Sequence, residues 1–480
     1  MDIIGSKCAA TFAGRENVLQ SEPRDGLCVL GEQLASEDEA VAGERELALE
    51  RRVAVSGTAE RYDVCIVGTG RVGLPLGLSL VDVGLAVIGV DVDPALRQKV
   101  NAGEMPFAEP GYEELVARRA LKVESTLDVV AQSDAVVVTV GTPLHTHIET
   151  DLSQIRRVLE DIGPHLRPGH LLCLRSTVAP GTTAYVRRWL ERHTDLVVGD
   201  TLKLAFCPER IAEGKAYAEL RELTQIVGAE DDSSAEAAAA LFGVLAPEVM
   251  RTDYVSAELV KLFNNIARYI HFAVANQFAL IADTYGANIY EIRRLANHRY
   301  PRSHIAMPGL TAGTCLRKDF GMINEWSPYP DLLLSAWKMN EYIPAFLVKH
   351  LEQRTELHDR RVAVLGYTFK RDTDDTRDSL APKLVRYIER SLPLEVRVSD
   401  HHLPDPIADA GNGELRNWNA ELALTDVDCV FVATNHSGYE AALGRLAKRH
   451  PDAWVVDIWN VGGADKVFYR AGELLETGGE

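Results

Sequence analysis

Short apolar runs that alternate with helical patterns constrain the fold of this 480-residue chain more than any other sequence feature. The runs are rich in β-branched residues, and they occupy residues 64–67, 85–90, 135–140, 171–174 and 204–206. Continuous apolar strands of this kind indicate a parallel sheet that helices cover on both faces. A second series of apolar runs begins at Arg361. We therefore predict an α/β fold with two doubly wound domains.

A long helical pattern separates the two series. Residues 256–285 contain no Pro or Gly, and their apolar side chains recur at helical spacing. We predict a long central helix that joins the two domains. Because it is apolar on more than one face, we expect a homodimer or a higher homo-oligomer. The predicted organisation is an N-terminal extension (1–60), a first α/β domain (61–255), a central helical domain (256–350) and a second, smaller α/β domain (358–480).

Charge and cysteine usage exclude several classes of protein. The formal net charge is −19, which argues against a nucleic-acid or anionic membrane surface. The seven cysteines are scattered and form no CxxC pair, so neither a disulfide framework nor a metal site is expected. No signal peptide and no apolar run long enough to span a membrane are visible, so we expect a cytoplasmic protein.

The Glu/Ala-rich residues 32–52 predict a surface helix, either solvated or packed on a partner subunit.

A glycine-rich motif lies at residues 68–73, where the sequence reads Gly-Thr-Gly-Arg-Val-Gly. It follows the first predicted strand and opens the first predicted helix, and Asp91 ends the next strand. This context favours a Rossmann-like dinucleotide site over a glycine turn used only for packing. Asp91 opposes a 2′-phosphate, so we predict NAD as the cofactor. The candidate cofactor-binding residues are Gly68, Gly70, Arg71, Val72, Gly73 and Asp91.

Two further groups of residues suggest chemistry. Lys261 and Asn265 are four residues apart on the long helix, so they share a face that could hold a hydroxyl and a developing oxyanion. Taken alone, such a pair more often faces solvent. Cys315 follows a glycine-containing loop and precedes Lys318 and Asp319. A nearby cation makes a thiolate more available as a nucleophile, whereas Cys65, Cys173 and Cys429 lie in apolar strands.

Further motifs follow in a fixed order. They are Val-Gly-Thr-Pro (140–143), Ser-Thr-Val-Ala-Pro-Gly-Thr-Thr (176–183), Pro-Glu-Arg-Ile-Ala-Glu-Gly (208–214), Ala-Glu-Leu-Val-Lys-Leu (257–262), Gly-Tyr-Thr-Phe-Lys (366–370) and Asp-Asp-Thr-Arg-Asp-Ser (374–379). With the glycine motif and the Cys315 loop, they make the chain resemble the UDP-glucose/GDP-mannose dehydrogenase family, the NAD-dependent nucleotide-sugar 6-dehydrogenases, from about residue 61 to 475. The resemblance implies that residues 61–255 bind NAD, that residues 256–350 carry the dimer helix and the cysteine loop, and that residues 358–480 bind the nucleotide sugar.

The resemblance also implies roles for individual residues. Cys315 would be the nucleophile, and Thr177 would help to hold a catalytic water. Glu209 and Glu213 would divide between them thioester hydrolysis and contacts with the cofactor or a loop. The other implied catalytic residues are Lys261, Asn265 and Asp319. The implied cofactor contacts are Thr142, Thr177 and Lys318. The implied substrate contacts are Glu209, Lys261, Asn265, Gly313, Phe369, Lys370 and, from a neighbouring subunit, Arg299 or Arg302.

The leading hypothesis is a four-electron oxidation of a nucleoside-diphosphate hexose at C6 to the uronate, as in a UDP-glucose 6-dehydrogenase. Alternatives are a UDP-N-acetylhexosamine (GlcNAc or ManNAc) 6-dehydrogenase or a dTDP- or GDP-sugar 6-dehydrogenase. Arg210, where relatives acting on glucose carry Phe, favours a 2-acetamido sugar, and Ala312 in place of a family glycine implies an altered sugar pocket. Less favoured are a single-step 3-hydroxyacid dehydrogenase, a Tyr-x3-Lys reductase or epimerase, and a catalytically silent nucleotide-sugar or NAD sensor.

Overall fold

The computed structural model describes residues 61–142, 151–311, 313–324, 329–409 and 413–475. The described residues, from Arg61 onward, form one compact unit. The predictions for the extension, including the surface helix at residues 32–52, lie outside the described residues. No helix among the described residues is long and apolar enough to cross a membrane.

An eight-stranded sheet forms the first half of this unit. Its strands are β1 (Tyr62–Val67), β2 (Val87–Val90), β3 (Lys122–Glu124), β4 (Ser133–Val138), β5 (Leu171–Leu174), β6 (Lys203–Phe206), β7 (Gln225–Gly228) and β8 (Val249–Thr252). Their order is β3-β2-β1-β4-β5-β6-β7-β8, and only the β6–β7 pair is antiparallel. The first six strands have the order of a Rossmann dinucleotide-binding sheet, whose ligand lies at the carboxyl ends beside the reversal between β1 and β4.

Helices cover both faces of this sheet, as the alternating pattern predicts. They are α1 (Gly73–Asp82), α2 (Pro94–Ala102), α3 (Glu113–Ala117), α4 (Ser153–Ile162), α5 (Thr182–His193), α6 (Ala216–Glu222) and α7 (Asp232–Gly243), with short 3₁₀ helices at Asp128–Gln132 and Gly163–His165. Two separate apolar clusters lie on opposite faces of the strands: Val64 and Ile66 belong to one, Cys65 and Val67 to the other. This alternation within β1 explains why the strand sequence is apolar throughout.

The predicted central helix is α8 (Tyr254–Thr284). It begins two residues before the predicted start because the Asp253 side chain accepts a hydrogen bond from the backbone N–H of Ser256 and caps the first turn. Its 31 residues span about 47 Å. One side of α8 packs inside the unit, whereas Phe263, Val274 and Phe278 are exposed. After it come α9 (Ile289–Asn297), α10 (Thr314–Asn324) and α11 (Asp331–Glu352).

A five-stranded sheet forms the second α/β half. Its strands are β9 (Arg361–Leu365), β10 (Glu395–Ser399), β13 (Cys429–Val432), β14 (Trp454–Val456) and β15 (Phe468–Arg470), in the order β10-β9-β13-β14-β15. Only the β14–β15 pair is antiparallel. The strands β11 (Ile407–Asp409) and β12 (Gly413–Leu415) form a separate two-stranded antiparallel sheet. The helices are α12 (Ala381–Glu389), α13 (Ala420–Ala423) and α14 (Tyr439–Arg449), with a final 3₁₀ helix at Ala471–Leu475. The predicted pair of doubly wound sheets with a long helix between them is therefore confirmed.

Candidate active site

The glycine motif forms a tight turn between β1 and α1. Gly68 has a φ of +95°, which favours glycine. A Cβ atom on Gly73 would lie 2.0 Å from the Gly68 carbonyl oxygen, so only glycine lets the helix approach the strand this closely. A Cβ on Gly70 would meet no atom within 4 Å. The space beside Gly70 and the packing at Gly73 fit the turn that receives the pyrophosphate of a dinucleotide.

Asp91 lies at the carboxyl end of β2, next to this turn. Its Oδ2 accepts a hydrogen bond of 2.7 Å from the backbone N–H of Thr69, and its Oδ1 accepts one of 2.9 Å from the N–H of Asp93. The residue is only half-buried. The hydroxyl of Thr69 also donates to Oδ2, at 3.3 Å. A carboxylate has about four acceptor positions, so Asp91 retains one for a ribose hydroxyl. Its location fits the prediction of NAD binding.

Arg71 and Val72 complete the motif. Val72 precedes the first residue of α1. The guanidinium of Arg71 contacts both halves of the unit: Nη1 pairs with Glu213 in the 208–214 motif and lies 2.8 Å from Asp374 Oδ1 of the second α/β half. The ring of Phe107 lies beneath it, 4.9 Å from the guanidinium carbon. The role of Arg71 in cofactor binding stays a prediction.

Three predicted catalytic side chains meet between α8 and α10. Asn265 Nδ2 donates a hydrogen bond of 2.5 Å to Asp319 Oδ2, and Lys261 lies one turn earlier on the same face of α8. All three residues are buried. Burial raises the pKa of the Asp319 carboxyl, and the charges of Lys261 and Lys318 oppose that shift. Among the described residues Asp319 Oδ1 has no hydrogen-bond partner, so it is available to a substrate hydroxyl or a water.

Helix α10 also reaches the NAD-binding sheet. Lys318 Nζ donates a hydrogen bond of 3.0 Å to the hydroxyl of Thr142, which itself donates one of 2.5 Å to the carbonyl of Thr177. Cys315 is the second residue of α10, about one turn before Lys318 and Asp319. The prediction for its thiol lies outside what the structure describes. The backbone of α10 thus brings Cys315 into the region where the predicted cofactor and substrate groups meet.

The two acids of the 208–214 motif have different surroundings. Glu209 is buried and pairs with Arg175, which is fully buried at the carboxyl end of β5. Glu213 lies beside Arg71 instead. Burial raises the pKa of Glu213 to about 7, against the opposing effect of Arg71. The structure therefore gives these two acids, which the sequence could not distinguish, distinct electrostatic environments.

The second α/β half contacts the site through its 366–370 motif. A Cβ on Gly313 would lie 2.5 Å from Phe369 Cδ2, so the cysteine loop packs directly against that ring. Lys370 Nζ donates a hydrogen bond of 2.5 Å to the carbonyl of Glu213, and burial lowers the pKa of Lys370. Phe369 and Lys370 thus lie in the same region as Gly313, and their contact with the substrate stays a prediction.

An open cavity of about 360 Å³ lies along α8. Six of its eight lining residues are basic or polar, and the full set is Arg210, Leu223, Lys261, Asn264, Asn265, Ala267, Arg268 and His271. Arg299 and Arg302 do not line it: both are exposed, and the guanidinium of Arg302 lies over the ring of Tyr300. The structure brings neither arginine to the site within one chain, so the prediction of a contact from a neighbouring subunit stays open.

Two buried residues at the site were missed in the sequence. Glu258 on α8 accepts hydrogen bonds from the backbone N–H of Gly181 (2.6 Å) and of Thr183 (2.8 Å), and so fixes the start of α5 against α8. Arg175 is the other. The signal for Arg175 was a charged residue directly after an apolar strand. The signal for Glu258 was a carboxyl on the same helical face as Lys261 and Asn265.

Comparison with known proteins decides the family. Models of the UDP-glucose/GDP-mannose dehydrogenase family match the chain at residues 62–246 (NAD binding domain), 255–342 (central domain) and 363–463 (UDP binding domain). The chain belongs to this family. It is an NAD-dependent nucleotide-sugar dehydrogenase, which confirms the predicted cofactor and the predicted class of substrate.

Individual relatives refine this assignment. The UDP-N-acetyl-D-mannosamine dehydrogenase of Pyrococcus horikoshii is 31% identical over 79% of this chain and 90% of its own length. A solved structure of UDP-D-ManNAc dehydrogenase from Pyrococcus horikoshii matches with a TM-score of 0.74 at 30% identity, over 81% of this chain and 93% of that chain. A UDP-glucose dehydrogenase structure from Pyrobaculum islandicum matches with a TM-score of 0.71 at 26% identity, over 80% of this chain and 93% of that chain.

Proposed function

We propose that this enzyme oxidises C6 of a UDP-2-acetamido-2-deoxyhexose, with UDP-N-acetyl-D-mannosamine as the first candidate, from the alcohol to the carboxylate. The observation that carries the proposal is the position of α10. Through Lys318 it contacts Thr142 at the NAD-binding sheet, and through Asp319 it contacts Asn265 on α8. The first turn of the same helix contains Cys315, which suits a nucleophile acting between the cofactor and the sugar.

The proposed reaction has two oxidation steps and one hydrolysis. Bound NAD⁺ supplies the hydride acceptor for each oxidation. In the first step, C6 loses a hydride, and the hydroxyl proton passes to solvent through the groups of Lys261, Asn265 and Asp319. The thiolate of Cys315 adds to the aldehyde and gives a thiohemiacetal, which can lose a second hydride where the free aldehyde cannot. Water then cleaves the resulting thioester and releases the carboxylate and the thiol.

The choice of a 2-acetamido sugar replaces the UDP-glucose interpretation of the sequence. The Pyrococcus horikoshii relative named above acts on UDP-N-acetyl-D-mannosamine by its name. The fold itself discriminates little, because the TM-scores for the mannosamine and glucose enzymes are 0.74 and 0.71. Arg210 supports the 2-acetamido alternative, since its side chain lines the same cavity as Lys261 and Asn265. A guanidinium there can donate hydrogen bonds to the amide oxygen of an acetamido group.

We also propose that the enzyme works as a homodimer that forms along α8. Phe263 is 56% exposed on this helix, Val274 is 41% exposed and Ile281 is 45% exposed. Such exposed apolar side chains on one long helix are typical of an interaction surface. A second copy could also supply Arg299 or Arg302, which do not reach the site in their own chain.

A substrate panel tests the proposed function. The full-length enzyme is mixed with NAD⁺ and, separately, with UDP-N-acetyl-D-mannosamine, UDP-N-acetyl-D-glucosamine, UDP-glucose, dTDP-glucose and GDP-mannose. NADH is measured by absorbance, and the product is identified by mass spectrometry. We expect the best kcat/KM with UDP-N-acetyl-D-mannosamine, two NADH per sugar and a uronate product. A preference for UDP-glucose would restore the earlier interpretation, and one NADH per sugar would contradict the four-electron reaction.

A further inference from the structure

The loop that leads into Cys315, residues 308–313, packs against an aromatic ring of the second α/β half. The ring is that of Trp459, which follows β14. A Cβ atom on Gly309 would lie 2.3 Å from both Cη2 and Cζ3 of this indole, so the ring covers the Gly309 backbone directly. The indole N–H donates a hydrogen bond of 3.0 Å to the carbonyl of Ala433, the residue after β13. The second sheet therefore fixes the position of the ring.

The backbone of Gly309 is also held by α8. Its N–H donates a hydrogen bond of 2.8 Å to Asn276 Oδ1. Asn276 Nδ2 donates one of 2.9 Å to Asn340 Oδ1 on α11, and Asn340 Nδ2 donates one of 3.1 Å to the carbonyl of Tyr269. Both amide side chains are fully buried, so a broken bond would leave a buried polar group unpaired. Gly309 therefore cannot move away from the ring without loss.

The rest of the loop has little room to absorb a displacement. Leu310 and Thr311 are buried. The N–H of Gly313 donates a hydrogen bond of 3.2 Å to the carbonyl of Asp378, and its backbone packs against the ring of Phe369. A shift at the start of the loop is therefore passed on to the helix that follows it.

The later part of that helix, α10, is held independently. Lys318 is hydrogen-bonded to Thr142, and Asp319 is hydrogen-bonded to Asn265. A displaced loop would therefore move the first turn of α10, which contains Cys315, more than the turn that contains Asp319.

We infer that Trp459 is a positioning residue for the second oxidation, because it holds the loop that places Cys315 beside the aldehyde. The inference rests on the proposed function, in which Cys315 is the nucleophile. It gives the second α/β half, whose implied task is to bind the nucleotide sugar, a part in the cysteine-dependent step. The first oxidation uses Lys261, Asn265 and Asp319 instead. We therefore expect a displaced loop to release aldehyde after one NADH.

A paired substitution tests whether the ring sets the position of the loop. Gly309 lacks the positive φ that favours glycine, and the three nearest atoms to an added Cβ all belong to Trp459. The variants are Gly309→Ala, Trp459→Leu and the double variant, assayed with NAD⁺ and UDP-N-acetyl-D-mannosamine. NADH is counted per sugar consumed, products are identified by mass spectrometry, and Tm is measured for each variant.

The expected loss falls on kcat rather than on KM. We expect Gly309→Ala to lower kcat for uronate formation by about 30-fold or more, to change KM for the sugar nucleotide by less than about threefold, and to release aldehyde with fewer than two NADH per sugar. Trp459→Leu alone should lower kcat by about threefold. In the double variant leucine leaves room for the methyl group, so kcat should be about fivefold or more above that of Gly309→Ala.

A purely structural role for the ring gives a different pattern. The folded variants would then have a lower Tm but would still give two NADH per sugar, and that result overturns the inference. A double variant no more active than Gly309→Ala also overturns it. A wild-type enzyme that gives one NADH per sugar, or that turns over none of the panel sugars, would instead overturn the proposed function.

Two control variants separate this contact from general effects of the substitutions. Gly444→Ala on α14 places a methyl group where no atom lies within 4 Å, so kcat, KM and the NADH count should stay at wild-type values. Trp454→Leu removes another indole of the second sheet, on β14. Combined with Gly309→Ala, it should restore no activity, and recovery in that variant would contradict a specific role for Trp459.

Trp459→Phe keeps the inference testable if Gly309→Ala fails to fold. Phenylalanine retains a ring over Gly309 but loses the N–H that donates to Ala433. We expect Trp459→Phe to give nearly two NADH per sugar and Trp459→Leu to release aldehyde above the wild-type level, because only leucine removes the ring. Wild-type kcat and two NADH per sugar in both variants would overturn the inference.

Discussion

Gly70 and Gly73 belong to one motif, yet the structure predicts opposite consequences for replacing them with alanine. In Gly73→Ala the new methyl group would lie 2.0 Å from the carbonyl oxygen of Gly68 and 2.5 Å from Thr139 Oγ1. Normal carbon–oxygen contacts are longer by about 1 Å, and the obstructing oxygen belongs to the backbone, so α1 must move away from β1. In Gly70→Ala the methyl group meets no protein atom within 4 Å.

The two magnitudes follow from these contacts. Overpacking against backbone costs about 3 kcal/mol, which for a domain of this size lowers Tm by about 6–12 °C. Gly70→Ala should change the free energy of unfolding by no more than about 1 kcal/mol. Its methyl group instead occupies the space that the pyrophosphate approaches, and we expect the Kd for NAD⁺ to rise at least about tenfold, or about 1.4 kcal/mol.

Thermal unfolding and calorimetric titration with NAD⁺ measure both variants. The expected result is a crossed pattern: Gly73→Ala loses stability, and Gly70→Ala loses affinity while keeping its Tm. If Gly73→Ala unfolded at the same Tm as the wild type, the close approach of α1 to β1 would be refuted. If Gly70→Ala bound NAD⁺ with wild-type affinity, the cofactor would not lie over this turn.

Three other predictions address the chemistry, the pH dependence and the extension. Cys315→Ala should bind NAD⁺ and the sugar nucleotide but yield at most one NADH per sugar and an aldehyde; uronate at a near wild-type rate would make the thiol structural. Burial raises the pKa of Glu213 from its usual value of 4.5 to about 7, so the folded state holds this proton more tightly than the unfolded chain does. The contribution of Glu213 to the free energy of unfolding therefore falls as pH rises through this interval. Glu213→Gln should flatten that part of the curve in urea unfolding, and an unchanged curve would refute the buried location. Removing residues 1–57 should leave dehydrogenase activity largely intact; an insoluble or inactive product would assign the extension to the core or to an interface.

The sequence predicted the local elements well because their signals are local. Apolar strands such as β1 and β4 are buried on both faces, and the glycine turn requires residue types that are rare elsewhere. Lys261 and Asn265 were placed together because helical spacing alone sets their positions. The start of α8 was less accurate, since a cap at Asp253 depends on one side-chain hydrogen bond.

The contacts between distant segments could not be read in the same way. Arg175 and Glu209 meet because β5 and β6 are neighbours in the sheet, and Arg71 meets Asp374 because the two α/β halves pack together. These pairings depend on strand order and on domain packing, which residue spacing does not encode. For the same reason the sequence left Glu209 and Glu213 interchangeable. Their different partners become visible only in three dimensions.

In both sheets an aspartate that follows a strand accepts a hydrogen bond from a backbone N–H of the neighbouring turn, but the two aspartates differ in exposure. This difference explains why the sequence indicated a cofactor at the first turn only. Asp91 follows β2 and holds the N–H of Thr69 in the first glycine turn, and Asp400 follows β10 and holds the N–H of Tyr367 at 2.6 Å in the equivalent turn of the second sheet. Asp91 is half-buried, whereas Asp400 is only 1% exposed and accepts a further hydrogen bond of 3.0 Å from His436 Nε2. Asp400 therefore has no surface to offer to a ribose.

This difference predicts contrasting results for the same substitution. Although burial opposes its ionisation, the hydrogen bonds from His436 and the backbone hold the pKa of Asp400 below its usual range. Asp400→Asn should therefore cost about 2–4 kcal/mol of stability, an effect that shrinks as pH falls and the wild-type carboxyl becomes protonated. It should leave the preference for NAD⁺ over NADP⁺ unchanged. Asp91→Asn should do the reverse: a small loss of stability, and kcat/KM values for NAD⁺ and NADP⁺ that approach each other because no carboxylate opposes the 2′-phosphate. The kcat/KM values for NAD⁺ and NADP⁺ are measured for both variants. If the Asp400 variant altered cofactor preference, or the Asp91 variant kept it, burial would not be what separates the structural aspartate from the cofactor-binding one.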